Sequence, residues 1–452
     1  TLRQIIKNGY SDADEIKEWI EQTREFRHIQ DGADDFPLQY FFDVREAIKR
    51  IRLENTHLEE SELFDLRRSL QTINDIVRYL NRAEDKGEDV DPAPLYPALY
   101  RLTQDVATYP QLVQGIDQIL DKFGHIRDNA SPELLNIRRE LARAESSVSK
   151  TLYSILRSAQ SEGLVDKDVT PTLRDGRLVI PVMPGMKRKI SGIVHDESAT
   201  GKTVFIEPSE VVEANNRIRE LESEERHEII RILTTFTNKV RPHSRDILES
   251  YSFLATIDFI RAKAELAKLT KAIEPEITDK PHVDWIQSRH PLLQLSLEKQ
   301  GKKVVPLDII LNKDKHILII SGPNAGGKSV CLKTVGLLQY MVQCGLSIPV
   351  GDRSTVGIFD NVMIDIGDEQ SLENDLSTYS SHLLNMKNMM RQANNKTIIL
   401  IDEFGTGTEP QIGGAIAEAV LEQFCNKGAW GVITTHYQNL KHFADSHEGV
   451  AN

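Results

Sequence analysis

Residues 317–329, ILIISGPNAGGKS, join a strand-like apolar run to a glycine-rich loop and a Lys-Ser pair. The loop fits the pattern G-x-x-x-x-G-K-[ST], in which backbone N–H groups and the start of the next helix surround phosphates. The alternative is a chance glycine turn, which the apolar run before the loop disfavours. Lys328 is expected to reach the β- and γ-phosphates, and the Ser329 hydroxyl to hold Mg²⁺. The nucleotide-binding residues predicted in this loop are Gly322, Pro323, Asn324, Ala325, Gly326, Gly327, Lys328 and Ser329.

A second apolar run, Thr397–Ile401, is followed by Asp402 and Glu403. Such a run is typical of a central strand in a parallel sheet, and acids at its carboxyl end lie where open α/β sheets bind ligands. Asp402 is expected to support Mg²⁺, directly or through water, and Glu403 to accept a proton from an attacking water. The alternative is a solvated acidic turn, which the glycine loop upstream makes less attractive.

Residues 376–382 are rich in hydroxyl groups near an expected helix start. Ser377 and Thr378 there suit a cluster of donors to a γ-phosphate, and an ordinary helix cap is the alternative. His436 follows a short apolar run at residues 430–433. It could sense the γ-phosphate or polarise the water, although a single histidine is more often structural.

The order of these four segments matches the ABC-type ATPase layout, in which the hydroxyl cluster serves the nucleotide of a partner subunit. We therefore expect a head-to-tail homodimer with two composite sites for ATP or ADP. The expected catalytic residues are Glu403, His436 and Lys328.

The same segments resemble the MutS family: the loop at residues 322–329, the acidic strand and loop at 402–408, Ser377-Thr378-Tyr379 and Thr435-His436-Tyr437. Residues 192–199, 204–208, 365–371 and 377–382 resemble the second bacterial MutS subfamily, whose members usually carry a C-terminal Smr nuclease domain. The resemblance runs along most of the chain and is weakest before about residue 131. It implies an ATPase that uses Mg²⁺, with Ser329 and Asp402 at the metal.

Two long amphipathic helices precede the glycine loop. The first starts at Ser131-Pro132-Glu133, and its apolar positions recur at steps of three and four residues. They are Leu134, Ile137, Leu141, Ala144, Val148, Leu152, Ile155 and Ala159. The second starts near Glu210, and its seam is broken at Glu225. We predict an antiparallel arm with a small β tip, and two helices of a compact bundle are the alternative.

Composition limits the partners. The net charge of −13 argues against a uniformly basic nucleic-acid binder, so any such contact must be local. The expected contact is Lys187-Arg188-Lys189, at the tip of a predicted hairpin, with a solvated basic turn as the alternative. Three scattered cysteines suggest a reducing compartment, and no apolar run reaches the ~20 residues of a membrane span. We therefore expect a cytoplasmic protein without a membrane-embedded part.

The predicted fold is multidomain: an α-helical core with long antiparallel lever helices and a small β clamp, followed by an α/β P-loop ATPase domain of ABC type. The expected segments are a helical core at 1–130, a descending lever at 131–166, the clamp at 167–208, an ascending lever with core return at 209–275, and the ATPase domain at 276–452.

The chain also departs from the family pattern. It shows no N-terminal mismatch-reading domain, and Val305 stands where many relatives place an aromatic side chain against adenine. The chain begins at Thr1 and ends at Asn452, soon after His436, so we expect a piece of a longer protein without the end of the ATPase domain or the Smr domain. No nuclease activity is therefore expected, and dimerisation and hydrolysis could be impaired.

The resemblance implies that ATP closes the dimer around a nucleic-acid target. That target is either branched DNA, bound without regard to sequence in recombination control, or collided ribosomes in quality control. Two alternatives stay open: a nucleotide-gated clamp in which turnover is not essential, and an SMC-like ATPase that tethers DNA. The latter is remoter, because its coiled-coil arms would normally interrupt the ATPase domain.

Overall fold

The computed structural model describes residues 12–32, 35–84, 93–322, 327–366, 375–406 and 409–452. They form two compact units: the first draws on residues 1–36, 80–104 and 255–452, and the second on residues 37–79 and 105–254. Residues of the predicted helical core, 1–130, therefore occur in both units.

Helices dominate the first half of the described chain. In chain order they are α1 (Ala13–Asp31), α2 (Arg45–Arg50), α3 (Glu60–Leu80), α4 (Pro97–Arg101), α5 (Pro110–Ile119), α6 (Pro132–Ser161), α7 (Ser209–Val240), α8 (Ser244–Thr270), α9 (Pro291–Lys299), α10 (Lys328–Gln343), α11 (Asp375–Gln392), α12 (Pro410–Asn426) and α13 (Gln438–Ser446). None of the helices described here is long and apolar enough to cross a membrane.

The strands belong mainly to three sheets. In chain order they are β1 (Ala83–Glu84), β2 (Ala93–Pro94), β3 (Thr172–Arg174), β4 (Arg177–Val182), β5 (Gly192–Glu197), β6 (Val204–Pro208), β7 (Glu276–Thr278), β8 (Val283–Ser288), β9 (Leu307–Leu311), β10 (Lys315–Ser321), β11 (Thr355–Gly357), β12 (Asn361–Asp365), β13 (Thr397–Ile401), β14 (Trp430–Thr435) and β15 (Gly449–Ala451).

Helices α6 and α7 of the second unit pack against each other in antiparallel directions. The Ser131 side chain caps α6 by accepting the Leu134 N–H at 3.0 Å, and it also donates to Glu228 at 2.6 Å. Farther along α6, Glu140 accepts from Arg217 at 3.1 Å, so residue numbers rise on one helix while they fall on the other. Glu225, which interrupts the apolar seam of α7, forms an ion pair with Arg138 at 2.7 Å.

The small antiparallel sheet of the second unit has the strand order β3-β4-β6-β5. Strand β6 lies between β4 and β5, so residues 187–189 lie on a connection between strands that do not pair. The hairpin predicted at this place is therefore wrong. Val204, Phe205 and Ile206 of this central strand are all buried.

A parallel five-stranded sheet forms the centre of the first unit, with the order β12-β13-β14-β10-β15. Neighbouring strands pair in parallel throughout, and β13 and β14 are buried along their whole lengths. The carboxyl ends of β10, β12, β13 and β14 therefore lie at one edge of the sheet. The residues that follow them are brought together there.

A second, mixed sheet of the first unit has the order β7-β11-β8-β9. Helix α1 packs on its core, because Ile16 and Ile20 belong to the same buried cluster as Trp285. Arg27 of α1 also forms an ion pair with Glu274 at 2.7 Å. These contacts explain why residues near the start of the chain belong to this unit.

Candidate active site

The glycine loop connects β10 to α10, as the sequence predicts. Gly322 and Gly327 have φ angles of +149° and +80°, a region that favours glycine, and no atom of the described residues lies within 4 Å of a Cβ built at either position. The backbone conformation itself therefore favours glycine here. Residues 323–326, which complete the predicted phosphate loop, lie outside the described residues.

Lys328 is the first residue of α10 and is 6 % exposed. Its ammonium group donates to the Gly322 carbonyl and lies 3.3 Å from His436 Nδ1. His436 is exposed directly after β14, the strand next to β10. The structure thus brings the predicted lysine and histidine together, although 108 residues separate them. Ser329 follows Lys328 in the first turn and is half-buried.

Asp402 and Glu403 follow β13, on the other side of β14. Asp402 is buried, and one carboxylate oxygen accepts a hydrogen bond from the Thr434 hydroxyl. The same hydroxyl accepts the Glu403 backbone N–H at 2.8 Å. One side chain on β14 therefore holds both acidic residues, and the sequence reasoning missed this role even though Thr434 stands two residues before His436.

Glu403 has an unusual backbone, with a φ of +50°. Few residues other than glycine adopt this region. Its carbonyl accepts both the N–H and the hydroxyl of Thr406, at 3.1 and 2.8 Å. The turn after β13 is thus held by its own hydrogen bonds.

Asp365 is a further residue that the sequence reasoning missed. It ends β12, is 4 % exposed, and its carbonyl accepts the Asp402 N–H at 2.9 Å. Its carboxylate accepts from Asn385 at 3.0 Å and lies 2.7 Å from His382 Nδ1, both on α11. The signal was present, because an apolar run followed by Asp occurs at β12 as it does at β13. Asp365 thus links α11 to the strand end that carries the acids.

Other predicted residues are not brought to this edge by any contact among the described residues. Val305 precedes β9 and is 86 % exposed. Ser377 and Thr378 lie in the first turn of α11, and the structure describes their backbone but not their side chains. Residues 187–189 are exposed in the second unit.

The donor set fits Mg²⁺ and a nucleotide. A buried ammonium group at a helix start favours anionic oxygens, and a buried carboxylate with a hydroxyl nearby is of the hard oxygen type that Mg²⁺ prefers. A glycine loop and acidic residues at one edge of a parallel sheet define this part of the chain as a mixed α/β domain with a phosphate-loop sequence.

Comparison with known proteins agrees with this class. The family model described as MutS domain V matches residues 318–452. A protein named Endonuclease MutS2 from Geobacillus sp. (strain WCH70) is 39 % identical over 438 residues, covering 97 % of this chain and 54 % of that protein. Its namesake from Enterococcus faecalis (strain ATCC 700802 / V583) is 37 % identical over 442 residues, covering 98 % and 54 %. The namesake from Bacillus cereus (strain Q1) is 36 % identical over 452 residues, covering 100 % and 56 %.

The chain spans about half the length of the curated relatives it matches. It belongs to the MutS family, in the MutS2 subfamily, as its motifs suggested.

Proposed function

We propose that this chain is a MutS-type ATPase whose ATP-bound form pairs head to tail with a second copy and closes on a nucleic-acid target. The proposal rests mainly on the contacts made by β14 and the residue after it. Thr434 of β14 contacts both Asp402 and Glu403, and His436, just after the strand, contacts Lys328. Glu403, the proposed general base, and Lys328 thus lie on opposite sides of β14, and we place the phosphate chain between them.

Each residue has a defined task in this proposal. The loop from Gly322 to Gly327 and the Lys328 ammonium group bind the phosphates, while Ser329 and Asp402 hold Mg²⁺. When bound, Mg²⁺ neutralises charge that develops on the phosphate oxygens. Glu403 accepts a proton from the attacking water, and His436 donates a hydrogen bond near the γ-phosphate. Val305 would lie against the base, where a small aliphatic side chain gives weak selectivity.

The partner subunit completes the site. Ser377 and Thr378, at the start of α11, would donate hydrogen bonds to the nucleotide held by the second copy. ATP then stabilises the dimer because it binds the paired form better than the separate chains. The segments 131–166 and 209–275 would act as levers, and the sheet at 167–208 as the clamp. The nuclease activity in the relatives' name is not assigned to this chain.

The target in this proposal is a large nucleic-acid assembly, either a branched DNA or a ribosome. Lys187, Arg188 and Lys189 are exposed and would contact phosphates without reading sequence. Binding to four-way DNA junctions and to ribosomes, each with ADP and with a non-hydrolysable ATP analogue, separates the two targets. Nucleotide-dependent binding to one alone identifies it.

The test of the ATPase is Glu403→Gln, which keeps the size of the side chain but cannot accept a proton. We expect it to bind ATP and to lose most of its turnover, since general base catalysis contributes roughly 10²–10⁴-fold. Glu409→Gln, which changes an exposed glutamate six residues away, is the matched control and should keep wild-type turnover. Wild-type turnover in Glu403→Gln would reject the assigned base.

The same variant separates a motor from a nucleotide-gated clamp. Glu403→Gln should trap the ATP-bound form in both cases, but only a motor then loses its biological output. Unchanged cellular function of the variant would favour the gated clamp.

A further inference from the structure

The outer face of α6 carries a continuous basic stripe. Exposed cations stand at Arg139, Arg143, Lys150 and Arg157, and Ser146 and Tyr153 fill the positions between them. The six residues follow one another at steps of four, three, four, three and four, so they lie on one face of the helix. We call these six residues the basic face. At 1.5 Å per residue it is roughly 27 Å long.

The basic face points away from everything that α6 packs against within its unit. The residues of α6 in the hydrophobic core are Leu134, Val148, Leu152, Leu156 and Ala159. At about 100° per residue, their mean direction lies on the opposite side of the helix from the basic face. The basic face therefore has no part in the contact of α6 with α7 or with the small sheet.

Charge on the basic face is not neutralised locally. Among the described residues, Arg139, Arg143, Lys150 and Arg157 form no ion pair, and no Asp or Glu stands at any of the six positions. Other cations of the helix pair behave differently. Arg138 pairs with Glu225 and Asp128, and Arg217 pairs with Glu140 and two further glutamates. The arginines that stabilise the helix pair are thus distinct from those on the basic face.

Hydroxyl groups lie between the cations. A shallow concavity on this face is lined by Ser146, Ser149, Lys150, Tyr153, Ser154 and Arg157. Cations with interspersed Ser and Tyr hydroxyls are the side chains that contact phosphate and sugar oxygens in nucleic-acid complexes. A stripe of this kind is unexpected on a chain with a net charge of −13, unless a polyanion uses it.

We propose that the basic face binds the phosphodiester backbone of a duplex nucleic acid, independently of its sequence. Its length of roughly 27 Å corresponds to about 8 base pairs at 3.4 Å per step. The proposal rests on the nucleic-acid target proposed above, and it places that target along the helix as well as at residues 187–189.

The experiment measures binding of the full chain to 20-base-pair duplexes of DNA and of RNA by fluorescence anisotropy, from about 50 to about 200 mM salt. The variant is Arg143→Gln combined with Lys150→Gln and Arg157→Gln. We expect binding at least about tenfold weaker at low salt, and a slope of log K against log salt reduced by about 2.7, three times the ~0.9 per phosphate contact. Weaker binding of the variant to DNA, to RNA or to both supports the proposal and identifies the nucleic acid whose backbone the basic face binds.

The matched control is Lys313→Gln with Lys396→Gln and Lys427→Gln, which removes three exposed cations from the first unit. It should retain the wild-type slope. Equal affinity and slope in wild type, test variant and control would overturn the basic face as a contact. ATP turnover, measured on the same samples, keeps the two proposals distinguishable. A wild type that hydrolyses ATP but binds neither duplex rejects the nucleic-acid proposal alone, and one that does neither rejects the proposed function.

Discussion

Thr434→Val tests whether one buried hydroxyl organises the candidate active site. Thr434 is 1 % exposed, donates to the Asp402 carboxylate and accepts the Glu403 N–H at 2.8 Å. Valine has nearly the same shape as threonine, but its side chain can neither donate nor accept a hydrogen bond. The variant therefore removes two hydrogen bonds and leaves the Lys328 side of the site unchanged.

The expected loss of activity can be estimated from the two hydrogen bonds that position Asp402 and Glu403. A hydrogen bond to a charged acceptor is worth about 1.5–3 kcal/mol, and a buried N–H left without a partner costs about 1–3 kcal/mol. Removal of a group that orients a metal ligand typically costs about 10–100-fold in activity, or about 1.4–2.7 kcal/mol at ~1.36 kcal/mol per tenfold. We therefore expect kcat for ATP hydrolysis to fall by about 10–100-fold.

Steady-state ATP hydrolysis with Mg²⁺ is the assay, with kcat and KM measured separately. KM should change little, because the glycine loop and Lys328 are untouched. Thr434→Ser retains the hydroxyl and should stay within a few-fold of wild type. A wild-type kcat in Thr434→Val, or equal losses in the Val and Ser variants, would show that the hydroxyl does not position the acids.

Three further predictions concern other buried polar groups. Asp365→Asn should lower kcat about tenfold with little change in KM, because the contacts of His382 and Asn385 with the Asp365 carboxylate weaken. The exposed Asp360→Asn is its control, and equal kinetics of the two variants would contradict the role of Asp365. Glu207 is fully buried, and burial would raise its pKa, but hydrogen bonds from Asn215, His195 and Arg177 hold the pKa below its ordinary value. The ionised Glu207 should therefore contribute to the free energy of unfolding at neutral pH, and this contribution should be lost as the pH falls below about 4.3. We expect Glu207→Gln to lower the free energy of unfolding in urea by about 3–5 kcal/mol at pH 7 and by less near pH 3.5. An equal cost at both pH values would be evidence against this. Burial lowers the pKa of Lys263 from 10.5 to about 8, so the unfolded chain binds more protons between these values and the free energy of unfolding should rise with pH there, by about 3 kcal/mol in all. Lys263→Met should remove that rise in thermal or urea unfolding, and a variant with the wild-type pH dependence would exclude Lys263 as its source.

Local patterns in the sequence predict the elements that position the site. The apolar runs before Gly322 and Asp402 are both strands, the second buried along its whole length and the first buried at Ile317 and Ile319. The helix start expected at Ser131 is capped there as predicted. Each of these features depends on residues within a few positions of one another. Periodicity and capping chemistry are therefore enough to find them.

Pairing across the chain could not be predicted in the same way. The strand-like runs at residues 178–183 and 190–195 indicate strands, but not that β6 lies between them, and this is why the expected hairpin is wrong. The contact of Ile16 with the cluster around Trp285, and the bond from Thr434 to Asp402, likewise join residues that no local pattern relates.

Glu403 shows how the site constrains evolution of the chain. A residue other than glycine at a φ of +50° costs of the order of 1–3 kcal/mol, so the folded state would gain from Gly or Asn at this position. The role of base proposed for Glu403 is the reason that we give for a glutamate at this position, against the preference of its own backbone. In a relative without the proposed hydrolysis, we expect this position to change first, toward glycine or asparagine, and the melting temperature to rise as a result.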